Sequence, residues 1–563
     1  MKEVETMDAI TTDVLVIGAG NAGLRASIEA RRYPVEVTLV AKGLVPGGAS
    51  TYCAQNMWVL PPGDDIAGFC REMTAQGRYL NDQALVEVYA KESYSRAVEL
   101  EDYGLLWDRD SEGNFRFGKI AGSAKDRMLT VRGLGANVTN ALLSEARRLG
   151  VIFKPETIVA SLLLSDGAVA GALALDIRRG EILLFRAKSV ILATGGCAQI
   201  YGRNSAPRGA TGDGCSMALR AGARLVNMEF QLFVPQAILS PPAPPEFDGM
   251  TLGEAKGFGD VLFLNALGER YMQRYDSTWL EHSPKDVLAI ATFKEIKAGR
   301  GGKYGGVIMD PTRNSPKAAR QYCKGSPKMY ERIKAAYGER AADWLEPFEA
   351  SPSALSTTGS IDIDVNGQTC VPGLYAAGEV GWGGLHGANR IGSAAAPTCL
   401  VFGKRAGESA AKRALKISHP SLDESDIQDE YRRITLPLER HEGISATKLK
   451  KELRSTMWDY VGVIRTGDGL QEALLRLHRL RKDIPEMCLA NKSLCYNQEW
   501  VEAIEVDHMI ECAEMVTRSA LFRRESRGSH YREDCPAGDP GWLIHSVLQL
   551  KGGETGMSKR ALT

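Results

Sequence analysis

The chain has 563 residues with 69 Lys or Arg and 69 Asp or Glu, so its formal net charge is zero, which argues against a nucleic-acid-binding protein. Its length leaves room for two to four domains, no apolar run approaches the ~20 residues of a bilayer span, and the N-terminus lacks the apolar core of a secretory signal. The 11 cysteines form no CxxC pair. We therefore expect a cytoplasmic protein without a disulfide framework, a metal site or an iron–sulfur cluster of its own.

The N-terminal region predicts a dinucleotide-binding strand–helix–strand unit. The aliphatic run Val14–Ile17 is typical of a buried parallel strand, and it leads directly into three glycines at GxGxxG spacing. In such a turn one glycine permits the sharp bend, the second lets backbone approach a pyrophosphate, and the third lets the next helix pack on the strand. That helix aims its N-terminal N–H groups at the diphosphate. The turn residues expected to contact the cofactor are Gly18, Gly20, Asn21, Ala22 and Gly23.

The end of the second strand departs from the common dinucleotide pattern. An Asp or Glu is expected there to bind the ribose hydroxyls, but Lys42 occupies the position. A lysine suits a phosphate or the edge of an adenosine better than a bare ribose. The pattern therefore indicates a dinucleotide without specifying NAD.

Three further segments have the small residues that let backbone lie against a flat ligand. A loop of small residues spans Val45–Gln55, and the buried strand Ser189–Leu192 ends in a second glycine pair after Ala193 and Thr194. The segment Thr211–Gly214 then opens a helix of small residues.

The remainder of the chain changes character twice. Residues 237–347 are Pro-rich at first and then charged, which is typical of an inserted mixed α/β domain, and Leu374–Glu379 returns to the strand–glycine pattern. From Asp423 onward long amphipathic patterns predict a helical bundle, and the Gly/Pro-rich tail after Ser526 is expected to be irregular.

The glycine-rich stretches GAGNAG, ATGG and LYAAGE together resemble flavoproteins that bind FAD through separated stretches. More specifically, the chain resembles the flavoprotein-subunit family of succinate dehydrogenase and fumarate reductase, which includes L-aspartate oxidase. The resemblance covers nearly the whole chain and is carried, in family order, by Ser50–Gln55, Thr211–Gly214, Asn227–Phe230, Gly268–Tyr271, His386–Arg390 and Glu525–Arg532.

The resemblance implies an α/β FAD-binding Rossmann-like domain in two segments (1–236 and 348–420). It also implies an inserted α+β capping domain (237–347) and a C-terminal helical domain with a tail (421–563). The implied reaction passes hydride between the flavin and a carbon of a small carboxylic acid, while an arginine moves a proton. Electrons would pass to a separate iron–sulfur or other electron-transfer partner subunit. Any membrane association would run through that partner.

The resemblance further implies which residues hold the cofactor. Family members with covalently bound FAD attach it to a histidine in the loop that here contains Ser50, so we expect noncovalent FAD. Besides the first turn, the expected FAD-binding residues are Lys42, Gly48, Ser50, Thr51, Ala54, Gln55, Ala193, Thr194, Gly195, Asp213, Glu379, Arg390 and Ser393.

The expected substrate site departs from the family. One family histidine is replaced by Val234, and no histidine stands near Ser356, where the second would fall. Lys285 takes the place of the proton-carrying arginine, while Arg390, which would clamp a carboxylate, is present together with His386. Lys285, Arg390 and His386 are therefore the catalytic candidates, although Lys285 could instead hold a carboxylate or be a solvated surface lysine. These departures favour a substrate other than succinate or fumarate.

Several alternatives stay open at this point. The loop at Ser50 favours L-aspartate oxidase, an adenylylsulfate-reductase-like subunit lies in the same family neighbourhood, and the replaced residues allow an electron-relay subunit without substrate chemistry. Trp382 could be a lid or a packed ring. Arg527 and His530 are expected to brace the C-terminal domain rather than contact substrate.

Overall fold

The computed structural model describes residues 9–52, 56–120, 123–133, 135–252, 259–315, 317–319 and 327–562. The strands in these ranges are β1 (Ala9–Ile17), β2 (Val37–Val40), β3 (Met57–Trp58), β4 (Phe117–Gly118), β5 (Met128–Leu129), β6 (Ile152–Lys154), β7 (Thr157–Ser165), β8 (Ala168–Asp176), β9 (Glu181–Leu192), β10 (Leu225–Val226), β11 (Gln231–Ala237), β12 (Leu262–Leu264), β13 (Val307–Asp310), β14 (Phe348–Thr357), β15 (Ser360–Ile361), β16 (Leu374–Ala376), β17 (Ile544–Lys551) and β18 (Glu554–Ala561).

The α-helices of the same ranges include several long ones towards the C-terminal end. They are α1 (Asn21–Arg31), α2 (Ala49–Tyr52), α3 (Ile66–Gln76), α4 (Gln83–Val98), α5 (Gly135–Arg148), α6 (Asp213–Arg220), α7 (Met272–Tyr275), α8 (Lys285–Glu295), α9 (Pro327–Tyr337), α10 (Glu339–Ala342), α11 (Ala395–Ala414), α12 (Glu424–Glu439), α13 (Ala446–Val461), α14 (Gly467–Asp483) and α15 (Gln498–Phe522). None of the described helices is both long and apolar enough to cross a bilayer.

A seven-stranded sheet carries the cofactor-binding half of the molecule. Strand β1 lies between β2 and β9, parallel to both, with Val16 opposite Leu39 on one side and Ile191 on the other. The aliphatic residues of β1 are buried on both faces, which explains their continuous apolar run. Because β1, β2, β9 and β16 are parallel, their carboxyl ends meet at one edge of the sheet, where ligands of such folds bind.

The second FAD-binding segment joins the first through a close helix pair. Helix α11 packs along α1, and glycines at the contact let the two backbones approach. A Cβ atom at Gly407 would lie 2.2 Å from the carbonyl oxygen of Ala26, and one at Gly403 would lie 2.8 Å from that of Ala22. The contact places the start of α11, and the loop before it, beside the dinucleotide turn.

A smaller antiparallel sheet, ordered β11–β14–β13–β12, supports the region between the two segments. Its core includes Phe263, Met309 and Phe348, together with residues of α8 and α9. Helix α8 packs against β11, which brings the start of α8 towards the cofactor domain. The exact domain boundaries at 236/237, 347/348 and 420/421 stay predictions.

The C-terminal region contains the long helices α12 to α15, as the amphipathic patterns predict. The prediction of an irregular tail holds for residues 527–543 but is wrong for the end of the chain, where β17 and β18 form an antiparallel hairpin and β17 also pairs with β10. Gly552 and Gly553, both with positive φ, form its two-residue turn. This glycine pair is a recognised hairpin signal, but the Gly/Pro-rich composition before it favours irregular structure.

Candidate active site

The dinucleotide turn lies at the carboxyl edge of the large sheet. Gly18 has φ of +114°, and a Cβ atom there would lie 2.2 Å from the carbonyl oxygen of Ala193. A Cβ atom at Gly23 would lie 1.9 Å from the carbonyl oxygen of Gly18. At Gly20, in contrast, the nearest atom would be Ser50 Oγ at 3.8 Å. Gly18 and Gly23 are therefore required by the fold itself, whereas Gly20 leaves space for a ligand.

Helix α1 begins at Asn21, and its first turn contains no acidic residue that would compete with an anion. The loop of small residues lies over this turn, since the Gly47 N–H donates to the Ala19 carbonyl at 3.1 Å. A Cβ atom at Gly48 would lie 3.8 Å from Gly20 Cα. Ser50 and Thr51 belong to α2 in the same loop, whereas Ala54 and Gln55 lie outside the described residues.

The end of β9 contributes a buried hydroxyl group to the same edge. Thr194 Oγ1 is buried and has no hydrogen-bond partner among the described residues. It lies beside α6, since a Cβ atom at Gly214 would come within 2.2 Å of it. Gly195 follows with φ of +80°. A buried hydroxyl without a partner costs free energy unless a ligand satisfies it, so this position fits a polar part of FAD.

Lys42 lies at the end of β2 and binds acidic side chains. Its Nζ atom is 2.7 Å from Thr211 Oγ1, 2.9 Å from Asp213 Oδ2 and 2.8 Å from Glu505 Oε1. Burial by itself would lower the pKa of Lys42, but the two carboxylates raise it above its ordinary value. Burial would likewise raise the pKa of Asp213, but Lys42 and then His508 lower it. The ammonium group is thus matched by carboxylates rather than by a nucleotide phosphate.

Glu379 connects three of the predicted stretches. Its Oε1 atom accepts the Thr357 N–H at 3.0 Å, and a Cβ atom at Gly196 would lie 2.1 Å from the same oxygen. Burial raises the pKa of Glu379 to about 7, although the Thr357 N–H and the Arg390 guanidinium oppose the rise. The carboxyl group can therefore donate as well as accept a hydrogen bond near neutral pH.

Arg390 lies in the loop before α11, and an aromatic ring supports it. Its guanidinium carbon is 5.4 Å from the centre of the Trp382 ring, a cation–π distance. Trp382 is 3% exposed and packs edge-on against His386 at 4.8 Å. Trp382 is thus a packed ring and not a lid. Ser393, at the end of the loop, accepts the Trp58 N–H on its carbonyl at 2.9 Å.

His386 is buried beneath this loop in its neutral form. Burial, and then the nearby Arg390 charge, hold the pKa of His386 well below its ordinary value. Its Nε2 atom lies 3.4 Å from Thr398 Oγ1, and its Nδ1 atom has no hydrogen-bond partner among the described residues. A neutral imidazole can offer one donor or one acceptor to a ligand, but it cannot balance a carboxylate charge.

Lys285 is the first residue of α8, and it is half-buried. Its neighbour Asp286 forms an ion pair with Arg78 at 2.6 Å. Arg78 directly follows Gly77, whose carbonyl accepts the Ala388 N–H at 2.9 Å. These contacts tie the start of α8 to the loop that carries Arg390. The catalytic role of Lys285 stays a prediction.

Strand β11 begins beside the same loop, because Phe230, just before the strand, packs with Leu80 and Ala388. Leu232 and Val234 are buried and alternate with Phe233 along the strand. Phe233 points the other way, towards Tyr201 at 5.3 Å. Ser356, opposite Leu232 in β14, has a buried hydroxyl without a hydrogen-bond partner in the part of the chain that the structure describes. These side chains make the face apolar apart from that hydroxyl.

Comparison with known proteins gives the family. A model of the FAD binding domain family matches residues 13–395, and a model of the fumarate reductase flavoprotein C-terminal region matches residues 450–563. The chain is similar to a subunit of the fumarate reductase (CoM/CoB) of Methanothermobacter marburgensis, with 35% identity over 96% of this chain and 97% of that protein. It is also similar to L-aspartate oxidase of Yersinia pestis, with 31% identity over 93% of this chain and 96% of that protein. The chain belongs to the flavoprotein-subunit family of fumarate reductase and succinate dehydrogenase.

A solved structure of Escherichia coli quinol fumarate reductase superposes on this flavoprotein with a TM-score of 0.92 and 26% identity, over 99% of this chain and 97% of that one. The predicted fold class is thereby confirmed, and so are FAD as cofactor and the assignment as an FAD-dependent oxidoreductase. The roles of the individual site residues stay proposals, now supported by their convergence at one edge of the sheet.

Sequence reasoning missed several residues that hold the site of this flavoprotein in place. Glu505 contacts Lys42, and Asp286 with Arg78 fixes the start of α8. Each contact joins elements far apart in the chain, so no local pattern could have revealed it.

The expected bracing role of Arg527 agrees with its contacts, since it pairs with Glu525 at 2.8 Å and donates to the Arg78 carbonyl at 3.2 Å.

We expect Gly20→Val to abolish FAD binding while leaving the fold intact. The backbone at Gly20 has φ of −78°, which valine adopts, and the protein leaves room for a side chain. The branched side chain would instead occupy the space of the diphosphate. Flavin content and circular dichroism of the purified variant measure the two effects.

The matched control is Gly556→Val in β18, which lies remote from the dinucleotide turn. A Cβ atom there would meet only the carbonyl oxygen of Gln549, at 4.0 Å. This variant should keep full flavin content. A Gly20→Val protein that folds and retains all of its flavin would show that the turn is not the cofactor site.

Proposed function

We propose that this flavoprotein transfers hydride between its FAD and a small carboxylic acid that has one carboxylate and an apolar or aromatic part. The acid would be neither succinate nor fumarate. The observation that supports the proposal is the buried apolar pair Leu232 and Val234 on β11, a strand that begins beside the Arg390 loop, since Phe230 packs with Ala388.

Arg390 is suited to hold the carboxylate. A guanidinium group binds a carboxylate through two parallel hydrogen bonds, which fixes both the position and the plane of the acid. The ring of Trp382 restricts the guanidinium before substrate arrives, so less side-chain freedom is lost on binding. Neutral His386 beneath the loop would add one hydrogen bond without adding charge.

The opposite wall is unsuited to a second carboxylate. An ionised group facing Leu232 and Val234 would lose its hydration without a cation in return, which costs at least several kcal/mol. Ser356 offers a single neutral hydroxyl. An apolar or aromatic group would gain from the same wall, at roughly 25 cal/mol per Å² of buried surface.

Lys285 is proposed to exchange the proton that accompanies hydride transfer. Its place at the start of α8, tied by Asp286 and Arg78 to the Arg390 loop, supports a position beside the substrate. Lysine is among the side chains that serve as general acid or base, and here it stands where the family resemblance implies a proton-moving arginine. The competing view is that Lys285 only holds a carboxylate.

A second candidate is fumarate reduction. It is favoured by the relative that is named as part of fumarate reductase (CoM/CoB) and by the presence of Arg390. In that case Lys285 would hold the second carboxylate. The names of the relatives, which describe subunits, also support our proposal that electrons pass to a separate electron-transfer protein, of which an iron–sulfur subunit is one kind.

We expect the FAD to be bound noncovalently. Ser50 occupies the position of the attachment histidine, and a serine hydroxyl offers no imidazole nitrogen for the bond. Acid precipitation should therefore leave the yellow colour in the supernatant. Flavin that stays on the denatured polypeptide would contradict this expectation.

The substrate proposal is tested by anaerobic flavin reduction and reoxidation. We expect monocarboxylic acids with an apolar or aromatic part to bleach the flavin, and fumarate to reoxidise the dye-reduced enzyme slowly. A variant carrying Val234→His and Ser356→His should gain fumarate reduction, because it restores partners for a second carboxylate. Val234→Asn with Ser356→Asn is the uncharged control.

Wild-type fumarate turnover as fast as with any monocarboxylate would instead favour the second candidate. L-Aspartate belongs in the same panel, since rapid bleaching by it would favour L-aspartate oxidase. Reoxidation by dissolved oxygen should be slow compared with an artificial acceptor. Rapid turnover with oxygen alone would contradict a dedicated protein acceptor.

For Lys285, we expect Lys285→Met to retain FAD but to slow flavin reduction by ~10²–10⁴-fold, the usual contribution of a positioned acid or base. Lys285→Arg should remain slow, or should be active only at higher pH, because the arginine pKa is out of range. Stopped-flow flavin reduction across pH measures both variants.

If Lys285 only holds a carboxylate, Lys285→Arg should retain most activity and Lys285→Met should mainly raise KM. No change in either variant would place Lys285 outside the site.

A further inference from the structure

A side chain from the C-terminal helical region reaches the nucleotide edge of the large sheet. Glu505 lies on α15, and its Oε1 atom is 2.8 Å from Lys42 Nζ. Both side chains are largely buried, with 12% and 20% of their surface exposed. Lys42 ends β2, the position from which a strand–helix–strand unit recognises the ribose of its nucleotide. The contact therefore joins α15 to the adenosine end of the cofactor site.

The ammonium group of Lys42 has three donors, and the three are matched by Thr211, Asp213 and Glu505. Its direction is therefore fixed. Asp213 is fixed in turn, because Oδ2 accepts from Lys42 and Oδ1 accepts from Thr211 Oγ1 at 2.6 Å, with His508 Nδ1 3.5 Å from the same Oδ1. The oxygen lone pairs of Asp213 that these partners do not use are acceptors that suit the hydroxyl groups of a ribose.

We infer that Glu505 is a positioning residue of the FAD site: it holds Lys42, which in turn orients Asp213 towards the adenosine half of the cofactor. Without the Glu505 carboxylate, one donor of Lys42 loses its partner and the ammonium group can turn away from Asp213. The C-terminal helical region thus completes a site whose other residues belong to the FAD-binding domain. The inference concerns cofactor binding and is independent of the substrate.

The opposing view is that Glu505 and Lys42 form an ion pair that only joins two parts of the chain. That ion pair would contribute to stability but would leave FAD affinity unchanged. The chain offers a matched control in Glu502, one turn earlier on α15. Glu502 is paired with Lys450 at 3.0 Å and accepts a hydrogen bond from Thr447 at 2.5 Å. Both of these partners lie on α13, within the helical region.

The experiment is titration of the apoprotein with FAD, followed by flavin fluorescence. We expect Glu505→Gln to raise the Kd by about tenfold, because a neutral amide oxygen replaces the carboxylate that holds Lys42 by a charge-assisted hydrogen bond. Glu505→Asp should recover most of the affinity, and Glu502→Gln should bind FAD like the wild type. In a Lys42→Met background Glu505→Gln should have no further effect on FAD affinity, because the side chain through which Glu505 acts is gone; its second cation, Lys450 at 3.8 Å, lies on α13.

Wild-type affinity in a folded Glu505→Gln protein would overturn the inference, and so would equal losses in Glu505→Gln and Glu502→Gln. Near-ultraviolet circular dichroism of each apoprotein reports whether the fold persists. If Glu505→Gln does not fold, Lys42→Met alone decides: it should raise the Kd at least as much, and unchanged FAD binding in that variant would overturn the inference.

Discussion

The structure depends on how closely the backbone of the dinucleotide turn approaches the end of β9. A side chain at Gly18 would overlap the Ala193 carbonyl, and one at Gly23 would overlap the carbonyl of Gly18. Either side chain would push α1 away from the sheet. Because α11 packs along α1 with Gly407 against Ala26, the same displacement would separate the two FAD-binding segments. The loop with Arg390, which immediately precedes α11, would move with them.

The two ends that we propose for the site, an adenosine end and a flavin end, are built with opposite electrostatics. At the adenosine end, the ammonium group of Lys42 lies between the carboxylates of Asp213 and Glu505, so charge is balanced within the protein. At the flavin end, burial keeps His386 neutral and raises the pKa of Glu379 to about 7. Arg390 is thus the charged group beside two neutral or near-neutral ones. That distribution supports our proposal of a substrate acid with one carboxylate.

Much of the candidate site could be predicted from the sequence, because the residues concerned lie in short stretches with strong local requirements. The glycines of the first turn, Thr194 after β9 and Asp213 at the start of α6 do meet at one edge of the sheet. The tail after Ser526 is predicted less well. Its composition favours irregular structure, whereas β17 and β18 form a hairpin around the Gly552–Gly553 turn, and pairing with β10 stabilises it.

The sequence by itself determined the cofactor class. The backbone of the turn must pass within van der Waals distance of a pyrophosphate, a strand and a helix. Glycine is therefore required at fixed spacing, whatever the rest of the chain. Only the tertiary structure decided which side chains hold the site in place. Glu505 reaches Lys42, Asp286 reaches Arg78, and Trp382 packs beneath Arg390 rather than closing over it. A lysine or a tryptophan is compatible with many environments. Its partner is whichever distant element the packing of the core brings to within about 3 to 6 Å of the side chain.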